Sequence, residues 1–168
     1  MLNNILRDVN LAVDGRGYAG QIEALELPKL KLKTEDVRAG GMDAPVAVQM
    51  GMEPLEWSFS LITLDPNVLR LWGLGPGQYA NFTARGALQD EVTGATRGAV
   101  GTFQGQIVEF DPGSWKPGDK ATSKFTVKLV YYRLQVGGDT VHEIDVLNYK
   151  RVVGGVDQLQ ELRAALGL

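Results

Sequence analysis

At 168 residues, 44% of them hydrophobic, the chain fits one domain that buries roughly two-thirds of its unfolded surface, and it is too apolar to be disordered. A formal charge of −3 excludes a strongly basic nucleic-acid binder, because duplex affinity comes largely from Lys and Arg neutralising phosphates. The absence of cysteine excludes a disulfide framework and any thiolate metal site.

The amino terminus, MLNNILRDVN, lacks a cationic start followed by an apolar core, so no signal peptide is expected. The longest uncharged run, Leu71 to Ala84, is too short and too glycine-rich to span a bilayer, which predicts synthesis and assembly in a cytoplasm. After a short strand at Leu11–Val13 and an Asp14-Gly15 turn, Gly15-Arg-Gly-Tyr-Ala-Gly20 matches G-x-G-x-x-G. A dinucleotide site needs a helix to start inside that motif and run on. Pro28 follows too soon and no βαβ alternation appears, so a glycine-rich hairpin turn is expected instead.

Period-two alternation dominates the next segment, as half-buried strands require. Leu25 and Leu27 share one parity and Leu30 and Leu32 the other, so the strand slips by one residue at Pro28, which implies a bulge or a crossing between sheets. Lys29, Lys31 and Lys33 alternate along the same strand, where a solvated face and a contact with acidic neighbours are both open readings. A polar, glycine-punctuated loop spans 34–45, and its Gly40-Gly41 pair frees the backbone. Thr34, Glu35, Asp36, Arg38, Gly40, Gly41, Met42 and Asp43 are expected to form a subunit contact there. Asp36 and Asp43 do not have EF-hand spacing.

Val46, Val48, Met50 and Met52 then alternate with small and polar residues, and after Glu53-Pro54 so do Leu55, Trp57, Phe59 and Leu61. The two arms read as an antiparallel hairpin that packs these eight side chains into the core and turns Gln49, Glu56, Ser58 and Ser60 to the opposite side. No Lys, Arg or His lies between Arg38 and Arg70. Such a polar, acid-biased face suits a surface past which polyanions slide without sticking.

Asp65-Pro66 signals a helix start and Gly73 its stop after Leu69, Leu71 and Trp72. Trp57, Phe59 and Trp72 are expected in the core. Phe125, Val127, Leu129 and Tyr131 give way to Tyr132, Leu134 and Val136, a second slip of one residue, and Lys124 and Lys128 share a face of that strand. His142, the single histidine, has no second histidine or cysteine to form a metal cluster or a proton relay, and beside Glu143 it reads as a surface residue. No G-x-S-x-G elbow is present, so neither a catalytic nor a metal site is expected. After Gly154-Gly155, Asp157-x-x-Gln160 offers a capping box for a helix whose Leu159, Leu162 and Leu166 stripe is expected to lie on the β core and end at Gly167. The pattern predicts a mainly β fold, an antiparallel β-sandwich or half-barrel with long bulged strands and one or two short peripheral helices.

The blocks LPKL, KTE and RAGGMDAPV, the Met-Gly that follows, Asp111-Pro112-Gly113-Ser114-Trp115, Glu143-Ile144-Asp145 and Gly155-Val156-Asp157 occur in an order that resembles the major tail tube protein of contractile phage tails and the tube protein of R-type pyocins. The resemblance spans nearly the whole chain and is weakest between Asp65 and Arg97. It implies a ring-forming tail-tube fold over 1–168, a structural role without chemistry or cofactor, and hexameric rings stacked as a conduit for DNA or ions. It further implies contacts with the tail sheath, tape measure protein, baseplate hub and tail terminator, and a place in a virion or bacteriocin particle. Within that family Gln49, Glu56, Ser58 and Ser60 become candidates for the bore lining, and the 34–45 loop for contacts between rings. Two alternatives stay open at this point: a secretion-system tube of the same broad fold, and a small β-rich nucleotide-binding protein.

Overall fold

Two long strands, β8 (Thr96–Asp111) and β9 (Ser123–Val136), organise the computed structural model, which describes residues 2–168. They pair antiparallel along nearly their whole length, from Ala99↔Val136 to Asp111↔Lys124. On the far side of β9 the partner changes midway. Its first half pairs with β6 (Glu56–Leu61) and its second half with β10 (Asp139–Asp145). Phe125, Val127 and Leu129 are buried in the first half and Tyr132 in the second, so the slip read from the sequence is where β9 passes from one layer to the other. The ladder shifts register there, between Gln104 and Gly105 on β8.

Beyond β10 come β11 (Lys150–Val153) and β12 (Val156–Asp157). Beyond β8 come β7 (Ala80–Gln89), β1 (Ile5–Val13) and the two-residue β2 (Arg16–Gly17). The other layer is shorter and holds four strands, β3 (Ile22–Glu26), β6, the first half of β9 and the last part of β8. Every strand pairing is antiparallel, and the core lies between the layers. Trp57 stacks on Phe103 with ring centroids 4.4 Å apart, Phe59 on Phe125 at 4.9 Å, and Phe82 meets Trp57 edge-on at 5.4 Å. This is the expected mainly antiparallel β architecture with long bulged strands.

The segment 46–61 departs from the sequence reading. Its halves do not form a hairpin with each other. β5 (Val46–Met52) pairs with β4 (Leu32–Val37) in a separate two-stranded sheet, while β6 pairs with β3 and β9. The true hairpin is longer, running out along 22–37 and back along 46–61. Both of its arms break at one level, at Pro28 and Pro54, where Glu53 N–H still donates to Lys31 C=O at 2.8 Å. Proline cannot donate to a ladder, so a proline at this point in each arm releases both from the main sheet together. The lysine stripe is divided by the same break, with Lys29 and Lys31 in the irregular stretch and Lys33 on β4.

The helices are short. α1 (Pro66–Leu69) begins as expected, with Asp65 accepting from Asn67 N–H at 2.8 Å, but ends before Leu71 and Trp72. Trp72 is 55% exposed rather than in the core, and its indole N–H donates to Val108 C=O at 3.3 Å. α2 (Gln160–Leu166) stops at Gly167, φ +73°, as expected. Its start and its packing differ from expectation. Leu159 is the N-cap residue, while Asp157 accepts from Leu159 N–H at 3.1 Å and pairs with Arg163 at 2.6 Å. Leu162 and Leu166 are 52% and 62% exposed, so the apolar stripe does not lie on the β core. A seven-residue helix held by one ion pair and the half-buried Leu159 does not bring its last turn onto the sheet.

Candidate functional site

The glycine-rich motif folds as a turn. Gly15 and Gly20 take φ of +80° and +77°, β2 sits between them and no helix follows. Tyr18 points inward, 2% exposed, and burial together with a hydrogen bond to Asp65 pushes its phenol up to about 12. Among the described residues no three His, Cys, Asp or Glu side chains converge as metal ligands, and no helix is long and apolar enough to cross a membrane. His142 is half-buried rather than on the surface. Its Nδ1 is buried without a partner, and the ring borders a cavity with Lys31, Gln49 and Arg151.

The unusual surface is the β4–β5 hairpin. Thr34, Glu35 and Asp36 lie on β4, and Arg38, Gly40, Gly41, Met42 and Asp43 in the connecting loop, so the structure gathers all eight at one projecting end. The loop is organised internally. Arg38 Nε donates to Met42 C=O at 3.1 Å, Met42 N–H donates to Ala39 C=O at 3.2 Å, and Gly41 takes φ +88°. Met42 is half-buried against this turn. Pairing of Val37 with Val46 and of Glu35 with Val48 places Val37, Val46, Val48 and Met50 on one face. These four are 48%, 53%, 40% and 53% exposed, so the alternation was legible but its burial was not; only Met52 reaches the core.

Two cavities flank the root of this hairpin. One, of about 300 Å³, includes Leu32, Gln49 and Met52 of the hairpin with His142, Ile144 and Arg151 opposite. The other, of about 450 Å³, opens where β6 and β10 diverge from β9, between Met52, Pro54, Leu55, Leu129, Ile144, Val146 and Leu159.

The polar face of the shorter layer is the second candidate surface. Glu56, Ser58 and Ser60 point away from a core that holds Leu55, Trp57, Phe59 and Leu61 at 4% exposure or less. Gln49 does not join them; it lies on β5, opposite Thr34. The face also contains bases. Glu56 stands opposite Lys128 and forms an ion pair with it, Ser58 stands opposite Thr126, and Ser60 opposite Lys124. Glu26 on β3 and Glu109 and Asp111 on β8 share this side by register. On the strands four carboxylates therefore face two ammonium groups, and Glu53, Lys29 and Lys31 border the same face beside Glu26 and Glu56. The base-free stretch of sequence does not make a base-free surface, because β9 supplies the neighbours of β6.

Residues 3–167 match the family described as phage tail tube protein FII. The chain is 30% identical over 167 residues to the tail tube protein of Escherichia phage P2, covering 97% of this chain and 96% of that protein. It is 33% identical over 149 residues to the major tail tube protein of Serratia phage KSP20, covering 87% and 86% respectively. A chain from the sheath–tube complex of the PVC extracellular contractile injection system, in its extended state, shares the fold with a TM-score of 0.57 over 76% of this chain and 87% of that one, at 9% identity.

Proposed function

This chain belongs to the phage tail tube protein FII family and is a structural tube subunit rather than an enzyme; from that premise we propose how its surfaces build the tube. The observation that carries the proposal is the layer β3–β6–β9–β8. Its strands alternate in direction, so its outermost strands run opposite ways. Among the described residues β3 pairs only with β6, and β8 beyond Ile107 pairs with no strand except β9. Joining β3 of one copy to β8 of the next continues the antiparallel order, and rotation about an axis closes the sheet and removes its edges.

Six copies, the number the family resemblance implies, give a barrel of about 24 strands. With strands ~4.8 Å apart and tilted by about 40°, its backbone diameter is near 48 Å and its bore near 40 Å. The single domain 1–168 turns its aromatic core outward from this wall and its polar face, with Glu56, Ser58 and Ser60, toward the bore. A wall with a small excess of carboxylates gives DNA phosphates no array of cations to bind, and screening over about 8 Å keeps the repulsion weak. Lys128 pairs with Glu56, which offsets its charge toward phosphate.

The β4–β5 hairpin and its 34–45 loop then form the contact between subunits or rings. The outer partners are the tail sheath, baseplate hub and terminator, the tape measure occupies the bore before firing, and assembly takes place in the host cytoplasm. Electron microscopy of the purified chain tests this reading. Six-fold rings or tubes with a bore near 40 Å are the expected result. A tube with Glu56 and Ser58 on its outer wall overturns the lumen assignment, and a chain that stays monomeric at high concentration overturns the assembly.

A further inference from the structure

We infer that Trp115 anchors one ring to the next, its indole seating against the Leu27 and Pro54 end of the β3–β6–β9–β8 layer in a second copy of this chain. The inference rests on the reading of that layer as the tube wall and names one contact that holds successive rings.

The loop 112–122 joins β8 to β9 and projects from one end of the layer. Register fixes which end, because Ile22, Leu61 and Ser123 stand side by side there on β3, β6 and β9. Trp115 is 69% exposed, and Ile62 and Leu64 at the same end are exposed too. The indole is held in place. Its N–H donates to Pro112 C=O at 3.3 Å, Gly113 N–H donates to Asp111 at 2.9 Å, and Lys120 pairs with Glu23 of β3 at 2.5 Å. A Cβ on Gly113 would stand 2.6 Å from the Thr122 carbonyl oxygen, so the neck of the loop is closed tightly. The one polar group of the ring is thus satisfied inside the loop, and burying the ring leaves no unpaired donor. The side chain is also ordered before any contact forms, which lowers the entropy lost on binding. A large, pre-ordered and exposed tryptophan has the character of an interface anchor.

The other end of the layer carries Glu26, Glu56 and Lys128 on the same three strands. There the exposed Leu27 and Pro54 border a recess of about 450 Å³ that reaches Trp57. Glu26, Glu53 and Glu56 are matched in number by Lys29, Lys31 and Lys128 around it, so the recess neither selects a charged partner nor opposes an uncharged ring. Lysine stems pack on an indole face, and an ammonium above that face is attracted to it.

Tube geometry identifies the occupant. Barrel strands tilt by about 40° from the axis, so the two ends of the layer face the rings on either side. Stacking in one direction brings the loop end of each copy to the Leu27 end of a copy in the adjacent ring. Such a contact is heterologous and propagates along the tube.

Tubes of the purified chain, without sheath, test this. In a Trp72→Phe background the remaining tryptophans are Trp57, which is buried, and Trp115. Acrylamide should quench Trp115 in the free subunit and about threefold less or weaker in tubes, because an anchor is desolvated on contact. Tubes in which Trp115 stays as quenchable as in the subunit overturn the inference. Trp115→Ala should keep the urea midpoint of the subunit, since the side chain is exposed, and lower tube yield by about tenfold or more; a yield equal to that of the parent chain also overturns it. The seat is tested by the Ser114→Cys, Leu27→Cys pair in a chain that has no other cysteine. Oxidised tubes dissolved in detergent should run as a ladder of multimers, and each single variant as monomer; only monomer from tubes of the double variant overturns the seat at Leu27. A chain that forms no tubes sinks the wall reading and this inference with it, whereas tubes of the expected bore with a quenchable Trp115 sink this inference alone.

Discussion

Gly105→Ala should be among the most damaging single-methyl changes in this chain. Gly105 lies opposite Leu129, where β8 shifts register and β9 passes between layers. A Cβ there would stand 2.9 Å from the Lys128 carbonyl carbon and 3.0 Å from Leu129 Cα, and closer still to the Lys128 carbonyl oxygen. Ordinary contact begins at 3.4 Å, so the β9 backbone must retreat by at least 0.5 Å from the carbonyl carbon, and by more from the oxygen. Every atom in the way is backbone, so no rotamer change relieves the clash. Overpacking of this kind costs about 1–3 kcal/mol, and one or two weakened ladder hydrogen bonds add about 1 kcal/mol each, for a total of roughly 2–5 kcal/mol. Gly98→Ala is the control, since nothing lies within 4 Å of its Cβ and it sits on the same strand. Urea unfolding at concentrations where the chain is monomeric measures both, because assembly would otherwise add to apparent stability. A Gly105→Ala variant within about 0.5 kcal/mol of Gly98→Ala would refute the claim that this close approach sets the crossing.

Trp57→Ala, which removes the ring stacked on Phe103 and set edge-on to Phe82, should cost about 3–5 kcal/mol in the same assay. Deleting Arg38 to Asp43 should leave a subunit with nearly unchanged circular dichroism that no longer forms long tubes in electron micrographs, since the loop's hydrogen bonds lie within itself. For Tyr18 the phenol is raised to about 12 by burial first and then by Asp65, so the folded state holds its proton more tightly than the unfolded chain. Stability from this group is complete below about pH 10 and falls as pH rises from there toward 12; Tyr18→Phe should flatten that part of a chemical-denaturation pH profile. Asp157 is shifted the other way, below the usual carboxylate range, chiefly by its hydrogen bond from Arg163. Its contribution is therefore present above the unfolded carboxylate pKa and lost as pH falls through the folded value, and Asp157→Asn should remove the acid-dependent loosening of α2 seen by amide exchange.

The parity of apolar residues was the informative signal, and it located two of the places where the chain leaves its layer. At Pro28 the apolar set changes side where the chain leaves the main sheet for the two-stranded one, and after Leu129 it changes side where β9 passes between layers of one continuous sheet. The same change at Pro54 was legible in Met52 and Leu55 but was read as a hairpin, because a short polar stretch between two alternating runs fits a turn as well as a break. Which strand pairs with which is not a property of one strand's pattern. It follows from where the partner strand also breaks, and the coincidence of Pro28 with Pro54 emerges only once the two arms are laid side by side. The candidate bore residues show the same limit, since Glu56, Ser58 and Ser60 share a face while Gln49 lies across the break. The loop residues 34–43 were found together because they are contiguous in sequence. The cavity between β6 and β10 was not found, because its floor comes from β6, β9 and β10, which the chain joins over about ninety residues.

The hairpin carries one consequence further. A two-stranded sheet is marginal in water on its own, and this one also keeps an apolar face in solvent. Among the described residues of this hairpin, Met52 is the side chain that packs on the core cluster. A segment so weakly held stays ordered in an assembly when neighbours cover Val37, Val46, Val48 and Met50, and their burial offsets the entropy of ordering it. The same weakness serves assembly. A hairpin with free edges and an uncovered apolar face is an aggregation hazard in proportion to how long it waits, and four of the exposed residues at its projecting end, Glu35, Asp36, Arg38 and Asp43, are charged. Those charges discourage unspecific pairing between hairpins, which meet acid to acid. On this reading the acids that the sequence shows around the glycine loop act to keep free subunits apart until their apolar faces are covered in the assembly.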